Sequence, residues 1–180
     1  PQQKKAGIPD TIDQFYADTM KGGHNLNDPA LVRTLTTHAK DAVAWLVSLG
    51  ADLNTVGRAG GAKYPRAHRP TDGSAIGPEV IRVLWKAAKD RKMDVRTQTR
   101  ATEIIMKDGR VAGVKATTKD GKVYTIDAKA VVLATGGFGA NQDMLVKYQP
   151  KLKGYATTNQ PGATGDGIIL AEHAGAALVD

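Results

Sequence analysis

The chain has 180 residues, of which 41% are hydrophobic and 24% charged, and this is an ordinary composition for a folded domain. Its lack of cysteine excludes disulfides, iron–sulfur clusters and thiol nucleophiles from this sequence, and no apolar run approaches the ~20 residues that span a bilayer. The net charge of +7 favours anionic substrates or electron-carrying partners, whereas scattered cations and only 5% aromatic residues argue against nucleic-acid binding.

The first third of the chain predicts two helices with no strand between them. Asp10 or Thr11 is placed to cap the first helix and Asp28 to cap the second. In the second helix, side chains recur at helical steps at Leu31, Leu35, His38, Ala42, Trp45 and Leu49. We therefore expect residues 1–53 to form a helical cover and not a crossover within a parallel sheet.

Glycines and prolines interrupt residues 54–77, which we expect to be a functional loop because routine connections are shorter. Arg66, His68 and Arg69 lie at its centre and are candidates for contact with a substrate or a flavin. An alternative stays open, in which these cations form a solvated loop that pairs with acids at the surface.

Residues 78–180 predict an α/β core that carries an antiparallel meander. A helix starts at Pro78, with Val80, Ile81, Leu84, Trp85 and Ala88 expected to face inward. A short strand is expected over 93–96. The meander strands are predicted at Thr102–Met106, Arg110–Thr117 and Lys122–Ile126. Asp-Gly pairs at 108–109 and 120–121 favour tight hairpin turns between them.

The apolar run Ala130–Ala134 is β-branched and lacks a helical period, so it predicts a buried parallel strand. Gly136 and Gly137 follow it, and without Cβ atoms they let a flat ligand or another backbone approach the strand end. A tight turn without a ligand is the alternative. Helices are then expected over 140–149 and from Ile168, with a second glycine-rich loop between them.

The turn Thr164-Gly165-Asp166-Gly167 opens the last predicted helix, and backbone N–H groups at a helix start suit a phosphate. The Asp166 carboxylate repels phosphate unless it accepts from a hydroxyl, as a ribose or ribityl chain would offer. The alternative is that Asp166 only caps its helix.

Other constellations are missing from the sequence. The four histidines have no metal-ligand spacing, so we expect no metal site. There is no Gly-x-Ser-x-Gly elbow, no Walker motif and no Gly-x-Gly-x-x-Gly turn.

Several long sequence motifs of this chain nevertheless resemble the flavoprotein domain of soluble fumarate reductases of the flavocytochrome c type and their urocanate-reducing relatives. They are Asp18-Thr-Met-Lys-Gly-Gly23, Asn27-Asp-Pro-Ala-Leu-Val32, Gly50-Ala-Asp-Leu53, Arg66-Ala-His-Arg-Pro-Thr71, Ala134-Thr-Gly-Gly-Phe138, and Thr158-Asn-Gln-Pro-Gly162 followed by Gly165-Asp-Gly167. These motifs occur in the family's order across nearly the whole chain, so their combination is specific for this family.

The resemblance implies an incomplete FAD-binding, Rossmann-like parallel sheet with an antiparallel meander, and it implies FAD as the cofactor. The positions that inherit cofactor contacts are Ala101, Ala134, Thr135, Gly136, Gly137, Thr158, Asn159, Gly165 and Asp166. Of these, Ala101 matches the adenine side and 134–137 the phosphate–ribityl side, whereas Thr158, Asn159 and Asp166 match positions that approach the isoalloxazine and the rest of FAD.

The resemblance further implies reduction of the activated C=C bond of a dicarboxylate, fumarate to succinate, by hydride transfer from flavin N5, with arginines and histidines that clamp the carboxylates. No catalytic residue is expected within this span, which we expect to be inactive alone. The implied partners are an electron-donor protein or a heme domain, and the implied setting is electron transport in anaerobic respiration.

Two alternatives to this function stay open. One is a truncated, non-catalytic binding module with the same fold, and the other is a urocanate- or ketosteroid-type C=C oxidoreductase. The chain itself is expected to be the middle part of the FAD-binding domain, with a Gly-x-Gly-x-x-Gly turn just before Pro1. The resemblance favours a periplasmic location, with a cytoplasmic one also open.

Overall fold

A computed structural model describes residues 2–178, and the chain divides into two compact units, Pro1–Val95 and Arg96–Asp180. The first unit is mainly helical, and the second contains the larger sheet. The expected subdivision at 1–53, 54–77 and 78–180 remains a prediction.

Three helices form the start of the first unit, and the caps predicted for the second and third are confirmed. They are α1 (Gln2–Lys5), α2 (Ile12–Gly22) and α3 (Pro29–Ser48). The Thr11 hydroxyl accepts from the Gln14 N–H at 3.0 Å, so Thr11 rather than Asp10 caps α2. Asp28 accepts from the N–H groups of Ala30 and Leu31, which satisfies donors that have no partner within α3.

The helix faces differ from the expected ones. Leu31 and Trp45 of the periodic set in α3 are 70% and 55% exposed, whereas Val32 is buried. In α4 (Ile76–Asp90), the prediction that Ile81 and Trp85 face inward is wrong, because these side chains are exposed and Val83 is the fully buried residue. The apolar residues of α4 form one broad face, and only the part of that face around Val83 is packed, so spacing alone does not select the buried positions.

The core of the first unit forms where the end of α3 and the following segment meet α4. Ala51, Leu53 and Val83 are buried together, with Val43, Leu46, Leu49 and Leu84 packed around them. Burying a side chain such as Leu53 or Val83 stabilises a fold by roughly 1.5–3 kcal/mol. This contact fixes the chain just before the segment 54–77.

The segment 54–77 is more regular than predicted. Strands β1 (Thr55–Gly57) and β2 (Ala67–Arg69) pair antiparallel within it, and Val56 lies opposite His68. The prediction of a loop is therefore wrong at these positions and at 76–77, where α4 begins. The part between the two strands and residues 70–75 are neither helix nor strand.

The meander of the second unit is confirmed. Its strands β3 (Thr99–Lys107), β4 (Arg110–Thr118) and β5 (Val123–Asp127) pair antiparallel in chain order. At the first turn, Asp108 and Gly109 both have left-handed φ values, of 50° and 72°, as the Asp-Gly pair predicts. Helices α5 (Gln142–Tyr148) and α6 (Asp166–His173) follow, separated by a short 3-10 turn at Pro150–Leu152.

The strands predicted at 93–96 and 129–134 are not formed. A strand needs a neighbour to satisfy its backbone groups, and within residues 2–178 the segment 129–134 has no paired neighbour. Val132 is 87% exposed, so the expectation of burial is wrong as well. Both sheets in the described part of the chain are antiparallel, whereas the mixed helix–sheet class and the meander agree with the prediction.

None of the helices within residues 2–178 has both the length and the apolar character that a membrane crossing requires.

Candidate functional site

Bare main chain is exposed where the segment 129–134 ends. Gly136 has a φ of +71°, which favours glycine, and a Cβ atom on either Gly136 or Gly137 would meet nothing within 4 Å. The four residues Ala134–Gly137 are exposed. This turn therefore presents a backbone surface that no neighbouring side chain covers.

The start of α6 holds this turn in place. The N–H of Gly165 donates to the carbonyl of Gly137 at 3.1 Å. A Cβ atom on Gly167 would overlap the side chain of Thr135, so these two residues lie in direct contact. Glycine is needed at 167 for this close approach and not for an unusual φ. We call the turn Ala134–Gly137 together with Asn159 and Gly165–Gly167 the glycine corner.

The loop before α6 adds further contacts to the glycine corner. The side chain of Asn159 lies against Gly139, where a Cβ atom would overlap its amide group. The N–H of Ala140 donates to the carbonyl of Ala163, and the Asn141 amide donates to the carbonyl of Thr164 at 2.8 Å. Two stretches that are separate in sequence, 134–141 and 159–167, are thus held together.

Asp166 lies at the first position of α6, and both oxygens of its carboxylate are engaged. The Thr164 hydroxyl donates to Oδ1 at 3.0 Å, and Arg100 Nε donates to Oδ2 at 2.9 Å. Arg100 belongs to β3 and directly precedes Ala101. The ion pair therefore links β3, with its candidate adenine-side residue, to the glycine corner.

The nine candidate cofactor residues are not brought together equally. Contacts join Thr135, Gly137, Gly165 and the start of α6, and Asp166 links them to β3 next to Ala101. Thr158 is exposed next to Asn159, and among residues 2–178 its side chain makes no hydrogen bond to the glycine corner. Their roles toward a cofactor remain predictions.

The basic candidates in the first unit have a different environment. Arg66 donates to both oxygens of Asp10, at 2.8 and 2.9 Å, and its Nη1 lies 2.8 Å from Asp18. The guanidinium also lies 4.7 Å from the centre of the Phe15 ring. These side chains are 11%, 6% and 13% exposed for Arg66, Asp10 and Asp18. We call these four residues the Arg66 cluster.

Charge within the Arg66 cluster is already compensated. Burial alone would raise the pKa of Asp10, but hydrogen bonds from Arg66 and Gln3 outweigh it and hold the pKa below 3.8. A hydrogen bond from the N–H of Lys63, followed by that from Arg66, lowers the pKa of Asp18. Hydrogen bonds to the carboxylates of Asp10 and then Asp18 raise the pKa of Arg66. The alternative of a solvated loop that pairs with surface acids agrees with this arrangement in the pairing only, because the paired side chains are mostly buried. The role of Arg66 toward a ligand remains a prediction.

His68 is held by the backbone of the same loop. Its Nδ1 lies 3.1 Å from the carbonyl oxygen of Arg66, and since a carbonyl only accepts, Nδ1 carries the hydrogen. Partial burial lowers the pKa of His68, which favours the neutral ring. Arg69 is exposed on β2.

A cavity of about 610 Å³ lies beside the Arg66 cluster. Its walls include the apolar side chains of Ile8, Ile12 and Val43 as well as Arg66 and His68. None of the nine candidate cofactor residues lines it.

A network of hydrogen bonds closes the end of the β1–β2 hairpin at which the chain enters β1 and leaves β2. Asp52 accepts from the N–H and the hydroxyl of Thr71, at 2.9 and 2.8 Å, and these bonds lower its pKa. Glu79 accepts from the N–H of Asp52 at 2.6 Å and from Arg82 through both oxygens. The Arg82 hydrogen bonds and then the Asp52 N–H lower the pKa of Glu79 from 4.5 to about 2.

Comparison with known proteins identifies the family. The model of the FAD binding domain family matches residues 1–180. The chain belongs to this family. Within residues 2–178, no group of three or more histidine and acidic side chains is placed to hold a metal ion.

Relatives of this family member are oxidoreductases by name. It is 48% identical over 180 residues to the fumarate reductase (cytochrome) of Shewanella frigidimarina, covering 99% of this chain and 32% of that protein. It is 37% identical to the urocanate reductase of Eggerthella lenta, covering 30% of that protein. The chain thus spans about a third of the length of these relatives.

The fold matches a solved flavoprotein. Over 98% of this chain and 31% of the other, the structure superimposes on the open conformation of a flavocytochrome c3 fumarate reductase with a TM-score of 0.92 and 43% identity. Membership of the FAD binding domain family implies FAD as the cofactor. The glycine corner fits such a group, because a flat nucleotide needs main chain without Cβ atoms above it, and Gly136 and Gly137 provide this.

Sequence reasoning missed three contributions to this site. Arg100 reaches Asp166 across 66 positions of sequence, and no local pattern signals such a pair. The contacts of Thr135 with Gly167 and of Asn159 with Gly139 explain two further glycines that the pattern showed only as turn residues. A glycine that directly follows an Asp at a predicted helix start was the one available signal for Gly167.

Proposed function

We propose that the protein carrying this chain is an FAD-dependent oxidoreductase that reduces the activated C=C bond of a dicarboxylate, fumarate to succinate. The observation that carries the proposal is the uncovered backbone of Gly136 and Gly137, held in place by the start of α6. The 48% identity to a protein named fumarate reductase supports the substrate class. FAD, when bound, supplies the hydride for such a reduction.

The residues of this chain bind and orient the cofactor in this proposal. The backbone of Ala134–Gly137 forms the flat surface against which the nucleotide lies. Asp166 accepts from a hydroxyl of the ribityl or ribose part, Thr158 and Asn159 approach the ring system, and Ala101 contacts the adenine side. None of them takes part in proton transfer, which we assign to residues outside this span.

The Arg66 cluster has no direct role toward substrate in this proposal. Recognition of a dicarboxylate requires cations with free hydrogen-bond donors, and Arg66 already donates to two carboxylates. Its part is to hold the β1–β2 hairpin to α2. Of the three basic candidates, His68 and Arg69 keep side-chain nitrogen atoms that the Arg66 cluster does not occupy.

The experiment uses the full-length protein that contains this chain. We expect purified protein to hold stoichiometric FAD, measured by flavin absorbance after denaturation, and to oxidise reduced viologen dye only when fumarate is added. Protein without flavin would contradict the cofactor assignment and would favour a non-catalytic binding module.

The same assay separates the alternative substrates. Urocanate and acrylate should be added in place of fumarate, because relatives carry the names urocanate reductase and NADH:acrylate oxidoreductase. Flavin-containing protein that turns over urocanate but not fumarate would overturn the dicarboxylate assignment and leave the FAD assignment intact.

A further inference from the structure

The ion pair between Arg100 and Asp166 joins two candidate parts of the cofactor site. Arg100 Nε lies 2.9 Å from Asp166 Oδ2, and the Thr164 hydroxyl lies 3.0 Å from Oδ1. With a donor on each oxygen, the carboxylate has one fixed orientation. Arg100 is 71% exposed and Asp166 31% exposed, so the pair lies at the surface of the second unit.

An uncompensated carboxylate at this position would oppose cofactor binding. FAD carries a diphosphate with two negative charges, and like charges within a few ångströms repel each other more strongly as water is displaced. Asp166 lies beside the exposed Gly136–Gly137 turn that the proposed function gives to the nucleotide. The site therefore needs a cation that compensates Asp166 without occupying the surface of the turn.

We propose that Arg100 is a positioning residue for FAD. It compensates the charge of Asp166 and fixes the orientation of its carboxylate, so that Asp166 accepts from a cofactor hydroxyl without repelling the diphosphate. This inference rests on the proposed function, because it assigns Asp166 to the FAD site. Arg100 acts through Asp166 and does not itself contact the cofactor.

The position of Arg100 in the sheet supports this role. It lies on β3, where Arg100 pairs in register with Thr117, and the residue after it is Ala101, the candidate adenine-side position. Arg100 is thus carried by a strand whose backbone is fixed by pairing with its neighbour. An exposed pair contributes little to folding. The role toward a ligand can therefore be separated from a structural role.

A double-mutant cycle tests this inference in the full-length protein. Dissociation constants for FAD are measured by fluorescence quenching for the native protein, R100Q, D166N and the double variant. We expect R100Q to weaken FAD binding by about tenfold, the effect of one close charge pair that becomes partly desolvated. In the D166N background the same Arg100 change should alter the constant by less than about twofold, because the charge that Arg100 compensates is gone.

Control variants separate positioning from other roles. R110Q removes an equal charge from the next strand of the same sheet and should leave FAD affinity unchanged within about twofold. R100K keeps the charge but loses the Nε donor, so its affinity should lie between those of the native protein and R100Q. The urea midpoint of the apoprotein should be the same for R100Q and R110Q.

Each other outcome decides against the inference. An R100Q effect that persists in the D166N background means that Arg100 contacts FAD directly. Equal losses in R100Q and R110Q mean a general field effect. If the D166N variant binds FAD too weakly for a dissociation constant to be measured, the salt dependence of FAD binding is used in place of the double-mutant cycle. The ratio of the FAD dissociation constants of R100Q and the native protein should then fall at least twofold from 0.05 to 0.5 M NaCl, because salt screens the charges. A ratio that does not change with salt would overturn the inference. Native protein without FAD would contradict the proposed function instead.

Discussion

The Arg66 cluster and the glycine corner are both places where the sequence suggests a ligand, and the structure treats them in opposite ways. In the Arg66 cluster, the cation is enclosed by two carboxylates and an aromatic ring of its own chain. In the glycine corner, a Cβ atom on Gly136 or Gly137 would meet open space. Groups that the fold leaves uncovered therefore indicate a binding site better than a high local density of charge does.

Charge compensation follows the same rule in both regions. Arg66 is held between Asp10 and Asp18, and Asp166 is held between Arg100 and Thr164. The difference is in exposure, since Arg66 is 11% exposed and Arg100 is 71% exposed. A buried cluster serves the fold, whereas an exposed pair contributes little to folding and stays accessible to a ligand.

The largest expected effect is on stability, from breaking the Arg66 cluster. Arg66→Met removes the cation and leaves Asp10 and Asp18 close together, so we expect the free energy of unfolding to fall by about 2–3 kcal/mol, less than for a fully enclosed ion pair because solvent reaches the edge of the cluster. Urea unfolding measures the change.

Arg69→Met is the matched control for Arg66→Met, because it removes an exposed cation from the same hairpin and should cost less than about 0.5 kcal/mol. Equal losses for the two variants would show that the Arg66 cluster has no special structural role. Loss of substrate turnover in Arg66→Met at unchanged stability would mean that Arg66 faces a ligand after all.

The next effect is on cofactor binding, from covering the glycine corner. Gly137→Val adds a side chain where nothing lies within 4 Å and where φ is not left-handed, so folding should change by less than about 0.5 kcal/mol. If FAD lies on this main chain, its affinity should fall by about 100-fold, which corresponds to roughly 2.7 kcal/mol. Flavin retention during gel filtration and the urea midpoint together measure both effects.

Gly154→Val is not a suitable control for Gly137→Val, because the φ of Gly154 is +83° and a side chain there would be strained. Gly60→Val is better matched, since Gly60 also has open space and no left-handed φ, and it lies in the first unit. Unchanged FAD binding in Gly137→Val would contradict the cradle assigned to the glycine corner.

A third, intermediate effect tests how the glycine corner is held. Gly167→Ala places a methyl group on the side chain of Thr135, and we expect a loss of about 1–3 kcal/mol as the two segments separate. Thr135→Ala removes the hydroxyl and methyl groups that the new Cβ would strike, so the double variant should recover part of the loss. A double variant no better than Gly167→Ala alone would show that another contact requires the glycine.

Much of the fold could be predicted from local chemistry. The caps at Thr11 and Asp28 set the starts of α2 and α3, and the Asp-Gly turn at 108–109 set the first meander hairpin, because these signals act within a few residues. The exposed main chain at Gly136 and Gly137 likewise followed from two adjacent glycines after an apolar run.

The rest depended on residues far apart in sequence. The segment around Val132 has the composition of a buried strand. A strand is buried only where a neighbouring strand pairs with it, and composition alone does not supply that neighbour. The pairing of Arg66 with Asp10 joins positions 56 residues apart. The basic motif would look the same in the sequence if the Asp10 carboxylate lay elsewhere in the fold. Long-range contacts of this kind decide whether a charged side chain faces a ligand or its own chain.

The smallest expected effect concerns the hydrogen bonds of Glu79 with Arg82 and Asp52, a second place in the first unit where charged side chains serve the structure. Hydrogen bonds from Arg82 and the N–H of Asp52 lower the pKa of Glu79 from 4.5 to about 2. A depressed pKa means that ionised Glu79 stabilises the fold fully above pH 4.5 and that this contribution is lost as the pH falls toward 2. Glu79→Gln should therefore lower the urea midpoint at pH 6, and the gap from the native protein should close between pH 4.5 and 2. In an Arg82→Gln background the gap at pH 6 should be smaller, because the largest cause of the shift is gone. A gap of equal size at pH 6 and pH 2 would mean that Glu79 contributes through packing, and the parallel with the Arg66 cluster would then fail.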